Sequence, residues 1–390
     1  MLDTLRTADG MHPCFSTGEF ERRFGQVRKL MAAEDLDILL VYGTQCLHNE
    51  VQYLSNFPVS REAVLVFPMA AEPVLFVEYF NHVMDARRIA VTHDVRWGGE
   101  DLAETVARYL LAQGITRSHA GIVGAMPIGR FNVLRESLPA MMFRDINRKF
   151  QNLRLVKSAE ELAFMRRGAE LSDLAIRALE RDIRVGMAEH ELAAIVEGAY
   201  LGLGGQNSIH YMATTPMSDP DRCVPAQHLS NRVIGAGDVL ITEISAQYHG
   251  YPGQIQRPFA IGTHPTAQYR EMFTVAVEAF QRISQVIRAG STSDVVLAAA
   301  DFIHESGYTI HDDLLHGLGG GYLQPILRTR QTSPSSPAPF TFAEDMTIVI
   351  QPNVVTIDQS RGLQVGELVR VTASGVESLH HLPMRFIECG

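Results

Sequence analysis

The chain has 390 residues, 46% of them hydrophobic and 20% charged, with a formal net charge of −10. That length suits two domains with full cores, and the negative balance excludes a general binder of nucleic acid or of acidic membranes, because phosphate binding needs a basic surface. Cys14, Cys46, Cys223 and Cys389 stand far apart with no Cys-x-x-Cys, the first ten residues hold no apolar signal core, and no apolar run is long enough to span a bilayer. Reduced thiols in a cytoplasmic protein are therefore expected.

In chain order, Glu19 to Leu36 has helical spacing, with Phe20, Phe24, Val27, Leu30 and Met31 on one face. Strands are predicted from Asp37, from Ala63 and from Pro73, a helix over Leu102–Leu111 and a strand from His119. This alternation builds an α/β domain. Arg154-Leu-Val-Lys157-Ser158 leads into Ser158-Ala-Glu-Glu, a capping-box pattern that starts a helix, and the domain boundary is placed at residue 152. Helices are predicted over Ala159–Arg181, Ala188–Leu201, Thr266–Arg288 and Ser293–Ser306. Strands are predicted over Val239–Ser245, Gln254–Ile261, Met346–Gln351 and Leu368–Thr372. The polar run Thr329–Pro339 reads as a surface loop or lid.

Four segments carry the chemistry. Val239–Ser245 and Gln254–Ile261 flank a Tyr-His-Gly-Tyr turn, with Glu243 and Gln254 eleven residues apart. Leu315-His-Gly-Leu-Gly-Gly-Gly-Tyr-Leu-Gln-Pro325 is a glycine-rich loop around His316, and no Walker or dinucleotide pattern surrounds its glycines. Ile348-Val-Ile-Gln-Pro352 and Gly362-Leu-Gln-Val-Gly-Glu-Leu-Val-Arg-Val-Thr372 complete the set. Together with the Arg-x-x-Lys-Ser lead-in, these segments resemble the pita-bread family of methionine aminopeptidases, prolidases, aminopeptidases P and creatinases. The resemblance covers nearly the whole chain. It implies a creatinase-type α/β N-terminal domain (1–152) followed by an α+β pita-bread domain (153–390).

In that family the frame holds a pair of divalent ions on five ligands. Here Glu243 stands at the first ligand Asp and Gln254 at the second, His316 keeps the ligand histidine, Gln351 replaces one Glu and Gly366 the other, with Glu367 beside it. The family's further histidine becomes Leu323. One acid and one imidazole do not neutralise two divalent cations, so no metal and no other cofactor is expected. The resemblance to the metal-free creatinase branch is also incomplete. Its base histidine falls at Ala226, two residues before His228, and its guanidinium-binding glutamates fall at Gln256 and Gln351. Arg61 matches an N-domain arginine that creatinase lends across its dimer, and Arg328 stands near a second.

The leading expectation is a metal-independent hydrolase of a C–N bond in a small polar, carboxylate-bearing molecule. In it Glu243 or His228 is the general base, His316 the partner acid and Glu367 a reserve carboxylate. Gln254, Gln256 and Gln351 would orient an uncharged polar group, Arg61 and Arg328 would hold a carboxylate, and Tyr211 and Tyr322 would line the pocket. A homodimer is implied by the resemblance, with Arg61 crossing the interface. A lyase or cyclising enzyme on the same scaffold, and a binding protein without turnover, stay open as alternatives. His380-His381 reads as a solvated strand edge.

Overall fold

The computed structural model describes residues 2–45, 49–334 and 338–390. Cys46 and part of the expected Thr329–Pro339 loop therefore lie outside the described residues. Cys223 and Cys389 carry free thiols. The chain divides into two compact units, Met1–Arg154 and Leu155–Gly390.

In the first unit the strands β1 (Ile38–Thr44), β2 (Glu62–Pro68), β3 (Val74–Val77), β4 (Asp94–Trp97), β5 (His119–Val123) and β6 (Met142–Asp145) form a sheet in the order β4-β3-β2-β1-β5-β6. Alternate residues of β1 enter two different cores. Leu39 and Val41 pack with helices α1 (Thr17–Ala33), α2 (Glu50–Ser55) and α3 (Val83–Ile89). Ile38, Leu40 and Tyr42 pack with α4 (Leu102–Ala112) and α5 (Ile128–Ser137). A sheet covered on both faces needs continuous apolar strands, which is why β1 and β2 show no polar alternation. Helix α6 (Asn147–Asn152) buries Phe150 in the first of these cores.

The second unit opens with α7 (Ala159–Asp182). Ser158 Oγ accepts from the Glu161 N–H and the Glu161 carboxylate accepts from the Ser158 N–H, so the capping box predicted from the sequence is formed. The short α8 (Glu191–Gly198) occupies only part of the helix expected over Ala188–Leu201. Strands β7 (Gln206–Pro216) and β8 (Asp238–Tyr248) pair along their lengths. A tight turn joins β8 to β9 (Tyr251–Gln256), with His249 at φ 49° and Gly250 at φ 84°, the geometry a two-residue hairpin demands. The strand expected to run on to Ile261 breaks at Arg257-Pro258 and resumes as β10 (Phe259–Ile261).

Helices α9 (Ala267–Val286) and α10 (Ser293–Glu305) follow. After them come β11 (Leu315–Leu318), β12 (Tyr322–Leu327), β13 (Thr347–Ile350), β14 (Asn353–Val355), β15 (Gly362–Gln364), β16 (Gly366–Val371), β17 (Val376–Ser378) and β18 (Ile387–Cys389). The main sheet runs β12-β11-β13-β16-β9-β8-β10-β18. Tyr269, Met272 and Ala276 of α9 and Val296 and Ala300 of α10 share a core with Ile348, Ile350, Val369 and Val371. Helix α7 lies directly on β9: a Cβ on Gly253 would come 2.1 Å from the Ala169 nitrogen, a distance only glycine permits. Among the described residues no helix is long and apolar enough to cross a membrane.

Candidate functional site

The register decides which side chains meet. Ser245 pairs with Gln254, Gln256 with Gly366 and His316 with Val349, and directly paired residues share a face of the sheet. Glu243, Gln254, Gln256 and His316 therefore project together on one face. Ile255, Arg257 and Glu367 project on the other, the face that carries Ile348, Ile350 and the helices.

On the first face the side chains form one buried hydrogen-bonded cluster. Gln254 Nε2 is its centre, 2.7 Å from Gln351 Oε1, 3.1 Å from Glu243 Oε1 and 3.4 Å from His316 Nε2. Gln351 Oε1 accepts a second bond from Gln256 Nε2 at 2.9 Å, and Gln351 Nε2 donates to the Asp313 carbonyl at 3.1 Å. His316 is 1% exposed and Glu243 7%. Three glutamines in contact were expected to present amides to a ligand. Instead they spend most of their hydrogen-bonding capacity on one another, and Gln256 Oε1 is the member left without a partner in the cluster.

Burial sets the two titrating groups in opposite directions. It pushes Glu243 up to about 8, helped by the nearby Asp312 and Asp313 carboxylates, and it lowers His316 to about 4. His316 Nδ1 lies 3.0 Å from the Gly317 carbonyl, which only accepts, so Nδ1 holds the proton and Nε2 offers its lone pair. At neutral pH the acid is protonated and the imidazole neutral. These charge states suit Glu243 as a proton donor and His316 as a proton acceptor, the opposite of the expected assignment.

The rim is built from β12 and the segment before β11. Tyr322 stacks on His316 with ring centroids 4.1 Å apart and donates its hydroxyl to Asp313 Oδ2 at 2.7 Å. Arg328 Nε donates to Asp313 Oδ1 at 2.9 Å, and among the described residues no hydrogen bond takes its Nη atoms. Tyr211 lies directly opposite Glu243 in the β7–β8 register. Asp312 and Asp313, absent from the expected site, are thus part of it: both raise Glu243, and Asp313 also ties Tyr322 to Arg328. Two adjacent acids, four and three residues before His316, were the available signal.

Three expected residues stand elsewhere. Glu367 lies on the helix-covered face, paired with the fully buried Arg257 at 2.5 Å, so its charge is already neutralised. His228 is exposed in the connection between β7 and β8, and among the described residues no hydrogen bond joins it to the cluster. Arg61 belongs to the first unit, exposed, with its guanidinium 5.6 Å from the Tyr79 ring centroid. His380 is not solvated but buried against Asp173. Among the described residues no group of three or more His, Cys, Asp or Glu side chains is placed to hold a metal ion.

The profile of metallopeptidase family M24 matches residues 163–373, and that of the creatinase/prolidase N-terminal domain matches residues 23–156. The Xaa-Pro dipeptidase of Pyrococcus furiosus is 26% identical over 260 residues, covering 66% of this chain and 72% of that protein. The uncharacterized peptidase YqhT of Bacillus subtilis is 22% identical over 364 residues, covering 93% and 98%. Among solved structures, the X-Pro aminopeptidase from Thermotoga maritima aligns with a TM-score of 0.80 at 21% identity, over 94% of this chain and 99% of that one. The prolidase from Thermococcus sibiricus aligns with a TM-score of 0.81 at 20% identity, over 96% and 100%. At these identities the structural likeness speaks to the fold.

Proposed function

This chain belongs to metallopeptidase family M24, with a creatinase-type α/β domain followed by a pita-bread domain, and from that membership and the charges at its site we propose a hydrolase of C–N bonds that works without a metal pair. The hydrolase part rests on relatives that are Xaa-Pro dipeptidases. The metal-independent part rests on one observation. An amide nitrogen, Gln254 Nε2, stands among the acid, the imidazole and the Gln351 oxygen, sharing its hydrogens over the acceptors that a cation would require.

Two divalent ions need several anionic oxygens in a fixed cage. The cluster offers one carboxyl, protonated at neutral pH, one imidazole and one amide oxygen that already accepts twice. This donor set does not fit a metal pair. In the scheme favoured here, His316 Nε2 takes a proton from a water that attacks the carbon of the C–N bond. Glu243 passes its proton to the departing nitrogen, and Arg328 holds a substrate carboxylate. The test is turnover of a panel of Xaa-Pro dipeptides, N-carbamoyl and N-amidino amino acids by chelator-treated protein, alongside elemental analysis. Activity on at least one C–N substrate, indifferent to chelator, is expected. Two manganese, cobalt or zinc ions per chain, with activity lost on their removal, would end this reading.

The charge states also fix a pH profile. kcat/KM is expected to rise as His316 loses its proton near 4 and to fall as Glu243 loses its own near 8. A profile still climbing at pH 9 would assign the acid to another group. Arg328→Ala is expected to raise KM for a carboxylate-bearing substrate by about tenfold or more, with kcat much less affected. An equal effect on a neutral analogue would remove Arg328 from carboxylate recognition.

A homodimer with Arg61 lent across its interface remains part of the proposal, supported by the exposed guanidinium of Arg61; sedimentation of a monomer at assay concentration would remove it. Binding without turnover is a second reading, favoured by the internal satisfaction of the glutamine amides. The same panel separates it, since ligand binding with no turnover of any member is its signature.

A further inference from the structure

A second set of contacts lies behind the glutamine cluster and involves none of the residues assigned above except Gln254. The β9–β16 register ends with Ile255 opposite Glu367. One residue beyond that last pair, His380 Nε2 lies 2.9 Å from the Gln254 carbonyl oxygen. A carbonyl only accepts, so Nε2 carries a proton and donates it, doing for Gln254 what a ladder N–H would do in a longer strand.

The other ring nitrogen, Nδ1, lies 2.7 Å from Asp173 Oδ1. Asp173 Oδ2 accepts from the His381 N–H at 2.8 Å, so one carboxylate grips both the ring and the chain that bears it. The His380 side chain is 0% exposed and that of Asp173 7%. The adjacent Ser172 of α7 donates to the Gly253 carbonyl and accepts from the Ala246 N–H at 2.8 Å. Helix α7 thus fastens β9 at two successive carbonyls, Gly253 directly through Ser172 and Gln254 through the Asp173–His380 pair.

We propose that Asp173 and His380 are positioning residues, which fix the Gln254 peptide and thereby aim its side-chain amide at Glu243, Gln351 and His316. The inference rests on Gln254 being the centre of the site, as argued above. Burying a titratable pair costs desolvation, and apolar side chains of similar volume would pack there without that cost. What apolar side chains do not supply is a directed donor at the Gln254 carbonyl. The amide reaches acceptors at 2.7, 3.1 and 3.4 Å. Hydrogen bonds weaken steeply as distance and angle depart from these ranges, so a small rotation of that peptide would disturb all of them together.

Three variants of the full chain test this. His380→Phe removes both ring bonds, Asp173→Asn keeps the shape but gives up the charge, and His380→Gln keeps a donor able to reach the Gln254 carbonyl. Selective 15N-glutamine labelling reads the Gln254 side-chain amide directly, its signal assigned by its absence from Gln254→Met. His380→Phe and Asp173→Asn are expected to shift that signal, and His380→Gln to return it toward its original place. On a substrate found with the panel above, kcat is expected to fall on the order of tenfold in His380→Phe with KM little changed, since misaimed groups lose rate rather than binding.

A Gln254 signal and a kcat that stay in place in both His380→Phe and Asp173→Asn, with only Tm lowered, would reduce the pair to a structural role and overturn the inference. Should the wild-type chain turn over nothing in the panel, the amide signal alone decides. A shift upholds the positioning role even though the hydrolase reading has failed.

Discussion

Glu243→Gln is expected to stabilise the fold, by an amount that grows with pH, while abolishing turnover. The Glu243 carboxyl sits at about 8 in the folded chain against an ordinary value of 4.5. Between those values the folded chain holds a proton that the unfolded chain has released, so each step up in pH favours unfolding. The resulting cost is absent below pH 4.5, reaches on the order of 3 kcal/mol at pH 7 and about 5 kcal/mol above pH 8. Glutamine has the shape of the protonated acid and keeps an oxygen for the Gln254 Nε2 hydrogen bond, so the variant escapes that cost without opening a cavity. His316 imposes the mirror-image limb. Lowered to about 4 from 6.5, it makes the folded chain resist protonation, and stability falls as pH drops from 6.5 toward 4. Between pH 4.5 and 6.5 both states hold one proton on this pair, on the imidazole when unfolded and on the acid when folded, so the pair itself adds no slope there. The slope that remains comes from other buried groups such as His210, which burial lowers to about 4. Urea unfolding at pH 4.5, 7 and 8.5 reads the whole pattern. A Glu243→Gln protein no more stable than wild type at pH 8.5 would mean that the carboxylate is charged and neutralised by a bound cation, and the chemistry proposed above would go with it.

The frame of this site was legible in the sequence because it is made by local rules. Ser158 and Glu161 announce the start of α7, His249-Gly250 forces the β8–β9 hairpin, and the spacing from Glu243 to Gln254 puts both on one face once that hairpin closes. Strand β7 was missed because Gln206, Asn207 and Ser208 extend past the buried part of the sheet and show no apolar alternation. What the chain order hides is which partner a long-range contact supplies. Glu367 looks like a spare acid beside Gly366, yet the register turns it to the opposite face, where Arg257 is waiting. His380 looks like a polar chain end until Asp173, more than two hundred positions earlier, closes on it. The charge states of the Glu243–His316 pair were hidden for the same reason: burial, a property of the assembled sheet, is what keeps the acid protonated and the imidazole neutral.

Gly366→Ala is expected to cost on the order of 2–3 kcal/mol, the range of overpacking in a well-filled interior. A Cβ built there meets the Ile350 carbonyl oxygen at 2.4 Å, Gln256 Oε1 at 2.6 Å and the Gln351 Cα at 2.7 Å. Only the second belongs to a flexible side chain, so the other two require the backbone of the adjoining strand end to move. Gly366→Glu should be worse, because it buries a further carboxylate beside Gln256 and Gln351, while Arg257, whose guanidinium bonds the Gly366 carbonyl, is already paired with Glu367. Replacing Gln256 with Ala removes one of the three collisions, so Gly366→Ala should cost about 1 kcal/mol less in that background, a coupling that a double-mutant cycle in chemical denaturation would measure. The consequence reaches beyond stability. If position 366 is where the last metal-binding acid of the resembled frame falls, as the sequence correspondence implies, then Gln256 Oε1 and the strand end bearing Gln351 stand where its side chain would begin. On that proposal, restoring the acid takes more than the single substitution at position 366. A Gly366→Glu protein that folds with wild-type stability and titrates with two manganese ions in calorimetry would contradict both the packing argument and the metal-free chemistry built on it.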